Sequence, residues 1–286
     1  MWVARFGVRD PFATRASNVG YRRNLYTLTA SPHVGGDPDP LFVDRALSGP
    51  EPRLPAAIRE LIESDSRPLS AHTWAMTLVP FIAGLFVRTP EFALRFEARL
   101  KDLFGPAWRK VMAAAAPDNT NLVRLFELQR LYAPITRQEW TVVHFDRERP
   151  LVTNDCGYAP HQNSATGQLG YVIPLRPDAA LVVKRGPHQL ALAWSGDEWL
   201  VRGVEHATMS AGDAHGLNEV IAGNAIAEVY GPTRASTAAV QPHLATGPSV
   251  AIGPMFLAAS SAELRASEMD WFKLLTLISA PPAEAA

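Results

Sequence analysis

The sequence predicts an α+β fold, in which a helical subdomain precedes a mainly antiparallel sheet that is closed by a helix. Apolar residues recur at helical spacing between Leu54 and Ala133, and from Gln138 the pattern changes to the alternation of strands. Helices and strands therefore come in separate runs, which favours α+β over alternating βαβ units. The 286 residues, 47% of them apolar, suffice for a real core.

The first helices are predicted from periodicity and caps. Residues 54–63 place Leu54 and Leu61 on one face. Ser70 caps a second, almost wholly apolar helix that runs to about Val87, and Pro80 should kink it because proline removes a hydrogen-bond donor.

Three further helices are predicted before the sheet. Thr89-Pro90-Glu91 is a favourable start for the first, since Pro90 needs no donor at the first position. Gly105-Pro106 should end it, and a shorter helix should follow to about Ala116. Asn119 or Thr120 caps the third, which should stop before Pro134 because proline disfavours helical backbone in the residue before it.

The sheet is predicted from period-two alternation. Trp140, Val142 and His144 should point to one face, and Val143 and Phe145 to the other. A long polar loop should connect the second and third strands of the sheet, and Ser195-Gly196-Asp197 should form a hairpin turn. The other strand candidates are Met1–Val8, Leu151–Thr153, Leu169–Leu175, Ala180–Lys184, Gln189–Trp194 and Glu198–Val204.

The closing helix should be capped by Ser210 and run from about Gly212 to Tyr230. We expect one domain over residues 1–232, with a helical part at 54–133 and a sheet-plus-helix part at 138–230. Residues 233–286 should form a loose connection, because they are rich in Ala, Pro, Thr and Ser, followed by an amphipathic helix over Ala262–Ile278.

Composition excludes several functional classes. The net charge of −1 shows no basic excess, so no nucleic-acid partner is expected. The longest apolar run, Trp74–Val87, is about 14 residues and falls short of the roughly 20 that span a bilayer. With a lone cysteine, Cys156, and no signal-peptide core, the sequence predicts a soluble, cytoplasmic protein without a membrane partner.

No cofactor motif is present: a phosphate loop, a GxGxxG after a strand and a GxSxG elbow are all missing from the sequence. The cofactor therefore stays unknown. A small molecule is the expected partner, and the oligomeric state does not follow from the sequence.

The candidate site is centred on Asp155, which follows an apolar strand and could act as a general base or a ligand. The competing interpretation, which we favour, is an aspartate that accepts backbone amides in a turn. His144 and Asp146, two apart on a strand, are the other catalytic candidates. With Asp155 on an adjacent strand they could form a divalent-metal site, but the spacing is not diagnostic and we predict no metal.

Polar side chains near Asp155 are candidate ligand-binding residues. They are Asn154, His161, Asn163 and Asn218, and for Asn218 we favour a structural role because a buried asparagine needs partners. His215 and Glu219 are four apart on the closing helix, with Glu205, His206 and Asp213 nearby in sequence. An ordinary helix pair or cap is the favoured interpretation of this group.

Short motifs in a fixed order resemble the bacterial domain-of-unknown-function family 4238 over roughly Asn18 to Pro232. The motifs are Asn18-Val19-Gly20, Asn24-Leu25-Tyr26, Leu85–Pro90, Leu151–Asp155, Ile173–Asp178, Asn218, Ala225 and Val229-Tyr230. Two departures from the family pattern concern function. A histidine-containing opening segment has no equivalent, and Asn154-Asp155-Cys156-Gly157 stands where the family typically has Ser-Asp-Asn-Pro, so an activity that needs those parts would be lost or altered.

Two functions remain open on the sequence. The polar strand-end cluster around Asp155 favours a hydrolase-type enzyme. The lack of a strong catalytic motif favours the alternative, a non-catalytic small-molecule-binding or protein-interaction module. A second titratable group converging on Asp155 would support the enzyme.

Overall fold

The computed structural model describes residues 1–15, 41–65, 67–89, 92, 101, 105–107, 119–162, 169–184 and 191–244. Its helices are α1 (Phe42–Ser48), α2 (Leu54–Glu63), α3 (Ala71–Thr73), α4 (Val79–Arg88), α5 (Asn119–Thr136), α6 (Ala211–Gly223) and α7 (Arg234–Val240). A π-helical segment, Trp74–Leu78, joins α3 to α4. Short 3-10 turns lie at Glu51–Arg53, Gly105–Ala107 and Gln241–His243.

The strands form three sheets and confirm the α+β class. They are β1 (Trp2–Arg5), β2 (Phe12–Ala13), β3 (Leu69–Ser70), β4 (Glu139–His144), β5 (Thr153–Asn154), β6 (Ala159–Gln162), β7 (Leu169–Arg176), β8 (Ala179–Lys184), β9 (Ala191–Trp194), β10 (Trp199–Arg202), β11 (Glu205–Thr208) and β12 (Glu228–Gly231). The strand orders are β11-β4-β8-β7-β6, β2-β1-β12-β5 and β3-β10-β9. Every described pair is antiparallel except β11 with β4.

The five-stranded sheet is the centre of the fold because both of its faces are buried. Trp140 and Val142 pack with α2, α4 and α5 in the larger core. Val143 and Phe145 pack on the other face with α6 in the smaller core. The alternation predicted for β4 is therefore confirmed, and His144, in phase with Val142, belongs to the face that carries the helical layer.

Two prolines were predicted to disturb helices. A π-helical segment ends just before α4, and Pro80 sits in the first turn of α4, where a missing donor costs nothing. The helix α5 continues past Pro134 to Thr136, so the predicted stop is wrong. Pro134 lies in the last turn, where the helix has little left to lose, and its carbonyl still accepts from Arg137 N at 3.2 Å.

The closing helix is shorter than predicted. The Ser210 cap is confirmed as a capping box with Asp213, but α6 ends at Gly223. Val229 and Tyr230 lie in β12, which pairs with β1 and β5, because their β-branched and aromatic side chains suit a strand.

Two segments predicted as irregular are regular. Part of the long polar loop is β6, paired with β7. The first part of the predicted loose connection is α7, capped by Thr233. The amphipathic helix predicted at 262–278, most of the helix predicted after Thr89, and the motifs at 18–20 and 24–26 lie outside the described residues.

No helix of the described segments is both long and apolar enough to cross a membrane.

Candidate functional site

Two histidines meet on the helical face of the five-stranded sheet. In the parallel pair of β11 and β4, His206 lies opposite Val142, so its side chain emerges on the same face as Val142 and His144. His206 Nδ1 is 2.9 Å from His144 Nε2. The rings are stacked, with centroids 5.2 Å apart and an interplanar angle of 23°.

A serine from the helical layer completes the arrangement. Ser64 follows the last residue of α2, and its Oγ is 2.8 Å from His206 Nε2. The same Oγ lies 3.0 Å from Leu61 O. We call Ser64, His206 and His144 the Ser–His–His chain. Ser64 is only 5% exposed, whereas both histidine rings are partly exposed.

The Ser–His–His chain has two consistent proton arrangements. In one, Ser64 Oγ–H donates to His206 Nε2, and His206 Nδ1–H donates to His144 Nε2. In the other, His144 Nε2–H donates to His206 Nδ1, His206 Nε2–H donates to Ser64 Oγ, and the serine donates to Leu61 O. Only the first arrangement leaves His206 Nε2 able to accept the serine proton, so it is the one that can support catalysis.

The surroundings of His206 favour its neutral form. Burial lowers the pKa of His206 from its ordinary value of 6.5, the nearby His144 lowers it further, and the charge of Asp65 opposes these effects. A neutral imidazole is the form that accepts a proton. The Asp65 backbone has a φ of 46°, in the left-handed region, where aspartate is better tolerated than most residues.

Asp155 binds backbone amides. Its Oδ1 accepts from Ile226 N at 2.8 Å, and its Oδ2 accepts from Ala227 N at 2.8 Å and Glu228 N at 3.2 Å. Burial raises the pKa of the Asp155 carboxyl above its ordinary value, and these amides oppose the rise. The carboxylate thus fixes the connection between α6 and β12.

Close to Asp155, Tyr230 Oη donates to Glu228 Oε2 at 2.8 Å, and Glu228 also pairs with Arg5. Burial and these carboxylates raise the pKa of Tyr230 well above its ordinary value, so the phenol stays protonated. Tyr230 and Glu228 are therefore engaged with each other and with Arg5.

The two asparagines tie α6 to the strand that precedes Asp155. Asn154 Nδ2 donates to Tyr158 O at 3.0 Å and Ile221 O at 2.9 Å, and its Oδ1 accepts from Cys156 N at 3.1 Å. Asn218 Oδ1 accepts from Val152 N at 2.9 Å, and its Nδ2 donates to Pro150 O at 3.1 Å. Both side chains are buried, and their hydrogen bonds are those expected of structural amides.

Among the described residues, Asp146 and His161 make no hydrogen bond to the Ser–His–His chain. Asp146 is exposed after β4 and accepts from Glu148 N at 3.1 Å, as in an Asx turn. His161 is on β6, at the opposite edge of the sheet from β11, and burial lowers its pKa. Asn163 lies outside the described residues. His215 does pair with Glu219, at 3.3 Å.

The predicted neighbourhood of His144 and Asp155 is wrong. The strand β4 has β11 and β8 as its neighbours, whereas β5, which precedes Asp155, is at the edge of another sheet. Within the described ranges, no three His, Cys, Asp or Glu side chains are grouped so that they could hold a metal.

Sequence analysis did not select Ser64, and it placed His206 only among the charged residues near α6. A usable signal was present in β4. His144 lies in phase with the buried Trp140 and Val142, and a polar ring on such a face needs a polar partner. His206 could not be identified as this partner from the sequence. The strand β11 has only four residues, and nothing in them indicates that the strand pairs in parallel with β4.

Lowering the pH should destabilise the protein below about pH 6.5. The pKa values of His206 and His161 are lowered in the folded state, so stability is full above the unfolded pKa of 6.5 and is lost as the pH falls through it. We expect a lower Tm at pH 5.5 than at pH 7.5. His161→Gln should reduce this difference and His72→Gln, an exposed site, should not; an equal Tm at both pH values would contradict the assignment.

Comparison with curated proteins and with solved structures gave no match. The sequence pattern of one family, described as "Protein of unknown function (DUF4238)", matches residues 7–235. This range includes the central sheet, α6 and all members of the Ser–His–His chain. The protein therefore belongs to the DUF4238 family.

Proposed function

We propose that this protein is a hydrolase-type enzyme that cleaves esters by acyl transfer, with Ser64 as nucleophile, His206 as general base and His144 as the residue that orients His206. The single observation that carries the proposal is the continuous Ser–His–His chain, with contacts of 2.8 Å and 2.9 Å. A nucleophile bonded to a base, which is itself oriented by a third group, is the arrangement that activates serine.

The reaction would proceed in two balanced steps. Ser64 Oγ attacks the ester carbonyl while its proton passes to His206 Nε2, and the tetrahedral adduct collapses as His206 returns the proton to the departing alcohol. A water molecule then gives one proton to His206 Nε2 and attacks the acyl-serine, and the second adduct collapses as His206 returns that proton to Ser64 Oγ, which releases the carboxylic acid and restores both residues. The net reaction is ester plus water to acid plus alcohol.

The position of Ser64 makes the base essential. Ser64 follows the C-terminal end of α2, where the helix dipole is negative and disfavours a free alkoxide. The proton must therefore leave as the new bond forms. His144 supports this transfer by accepting from His206 Nδ1–H, which holds the free lone pair of His206 toward the serine.

Labelling with a fluorophosphonate probe tests the proposal, because such probes react with activated serines. We expect covalent labelling of the wild-type protein, with the mass increment on the peptide that contains Ser64. Ser64→Ala should abolish labelling, and Ser195→Ala should not, since the Ser195 hydroxyl stabilises only the hairpin turn before β10.

Two results would overturn the proposal. One is a folded wild-type protein that the probe does not label and that hydrolyses no nitrophenyl ester. The other is labelling that survives in Ser64→Ala. The first result would favour a non-catalytic binding module, in which the Ser–His–His chain joins α2 to the sheet.

A further inference from the structure

The residue after Ser64, Asp65, departs from two local rules of stability. Among the described residues it is the only one other than glycine with a positive φ, and its value of 46° lies in the left-handed region. It directly follows the C-cap of α2, where glycine is usual because it adopts this backbone without a steric cost. A carboxylate at this end of a helix also meets the negative pole of the helix dipole. A strained residue beside a candidate nucleophile points to a function.

The charge of Asp65 acts on the base of the Ser–His–His chain. Asp65 is bonded to Ser64, so their Cα atoms are about 3.8 Å apart, and Ser64 Oγ lies 2.8 Å from His206 Nε2. The carboxylate raises the pKa of His206, against the lowering by burial and by His144. Asp65 is exposed, and no Lys, Arg or His nitrogen of the described segments lies within 4.0 Å of its carboxylate to neutralise it.

The other ionisable groups around His206 do not have this effect. On β4, His144 carries a positive charge when protonated and lowers the pKa of His206. On β11, Glu205 precedes His206, so its side chain leaves the sheet on the opposite face. On α2, Glu63 is exposed and is not among the charges that shift the pKa of His206. Asp65 is the carboxylate whose charge favours the imidazolium form.

We propose that Asp65 is a positioning residue that acts through His206, because its carboxylate stabilises the positive charge that His206 gains when it takes the proton of Ser64. This inference rests on the proposed function. The imidazolium exists only while His206 holds the transferred proton, so the carboxylate lowers the energy of that stage more than that of the resting state. Because solvent screens an exposed carboxylate, we expect a rate effect of about 3–10-fold, smaller than that of removing the base.

Two variants remove the carboxylate and keep the backbone, Asp65→Asn and Asp65→Gly, since asparagine and glycine both adopt the left-handed region. Both should hydrolyse 4-nitrophenyl butyrate about 3–10-fold more slowly than wild type above the midpoint of the pH profile. That midpoint should move to lower pH, because the charge that raises the pKa of His206 is gone. The Tm should stay at or above that of wild type, because glycine removes both local costs and asparagine removes the charge.

Two controls accompany these variants. Glu63→Gln removes an exposed carboxylate from the other side of Ser64 and should change neither the rate nor the midpoint. Added salt should slow the wild-type protein toward the rate of Asp65→Asn and should leave the rate of that variant nearly constant.

An NMR titration of the His206 ring separates this inference from the proposed function, because it requires no turnover. We expect a lower His206 pKa in Asp65→Asn than in wild type, and an unchanged value would overturn the role of Asp65 even in an active hydrolase. A rate and a Tm that fall together, with the wild-type midpoint retained, would also overturn it, since Asp65 would then serve only the end of α2. A wild-type protein without fluorophosphonate labelling and without turnover would overturn both proposals, whatever the titration gives.

Discussion

Replacing Asp155 with asparagine should lower the free energy of unfolding by about 2–4 kcal/mol. The carboxylate accepts from three backbone amides, those of residues 226–228. Asparagine keeps one acceptor oxygen and turns an NH₂ group toward the remaining N–H donors, which then lose their partner while partly buried. Relief from the cost of burying a charge offsets part of this loss, since burial raises the pKa of Asp155. We judge the loss of the charge-assisted bonds to be the larger effect.

Urea unfolding, followed by both circular dichroism and tryptophan fluorescence, measures this change. Asp146→Asn is the matched control, because Asp146 is exposed and accepts from a single amide in its turn. The control should change the free energy of unfolding by less than about 0.5 kcal/mol. If Asp155→Asn were as stable as wild type but lost hydrolysis or labelling, the carboxylate would belong to the chemistry and its interpretation as a structural residue would be wrong.

Sequence patterns predicted the secondary structure well where it depends on residues close together in the sequence. The apolar face of α2, the Ser210 cap and the alternation of Trp140, Val142 and Val143 are confirmed because each depends on neighbours in sequence. The predicted helix boundaries are wrong where pairing with strands that are distant in sequence determines the secondary structure. Tyr230 is in a strand because β1 and β5 lie beside it, and no periodicity within residues 212–230 contains that information.

The candidate site was harder to predict for the same reason. Sequence analysis identified His144 as a polar residue on a strand, but the other two members of the Ser–His–His chain are far away in sequence. His206 lies 62 residues after His144, and Ser64 lies 80 residues before it. The parallel pairing of β11 with β4 brings His206 to His144, and the packing of α2 on the sheet brings Ser64 to His206. The polar residues next to Asp155 in sequence suggested a site there. One of them, Asn154, is polar because its side chain binds the backbone of α6.

The largest kinetic effect is expected for His206. If His206 Nε2 takes the proton of Ser64, then His206→Gln removes the base and should slow ester hydrolysis and fluorophosphonate labelling by about 10²–10⁴-fold. His144→Gln should reduce both by less, because the amide can still accept from His206 Nδ1–H. The exposed His215 on α6 provides the control, and His215→Gln should keep the wild-type rate.

The pH dependence of acylation distinguishes a base from a packing residue. Because burial lowers the pKa of His206 below 6.5, wild-type acylation should fall with decreasing pH at a midpoint below that value. The residual activity of His206→Gln should lack this inflection. Suppose instead that His206→Gln lowers the Tm and the rate together. Suppose also that the acylation rate of the folded variant molecules still falls with decreasing pH at the wild-type midpoint. His206 would then serve only to hold Ser64 against the sheet, and the assignment of the base would fail.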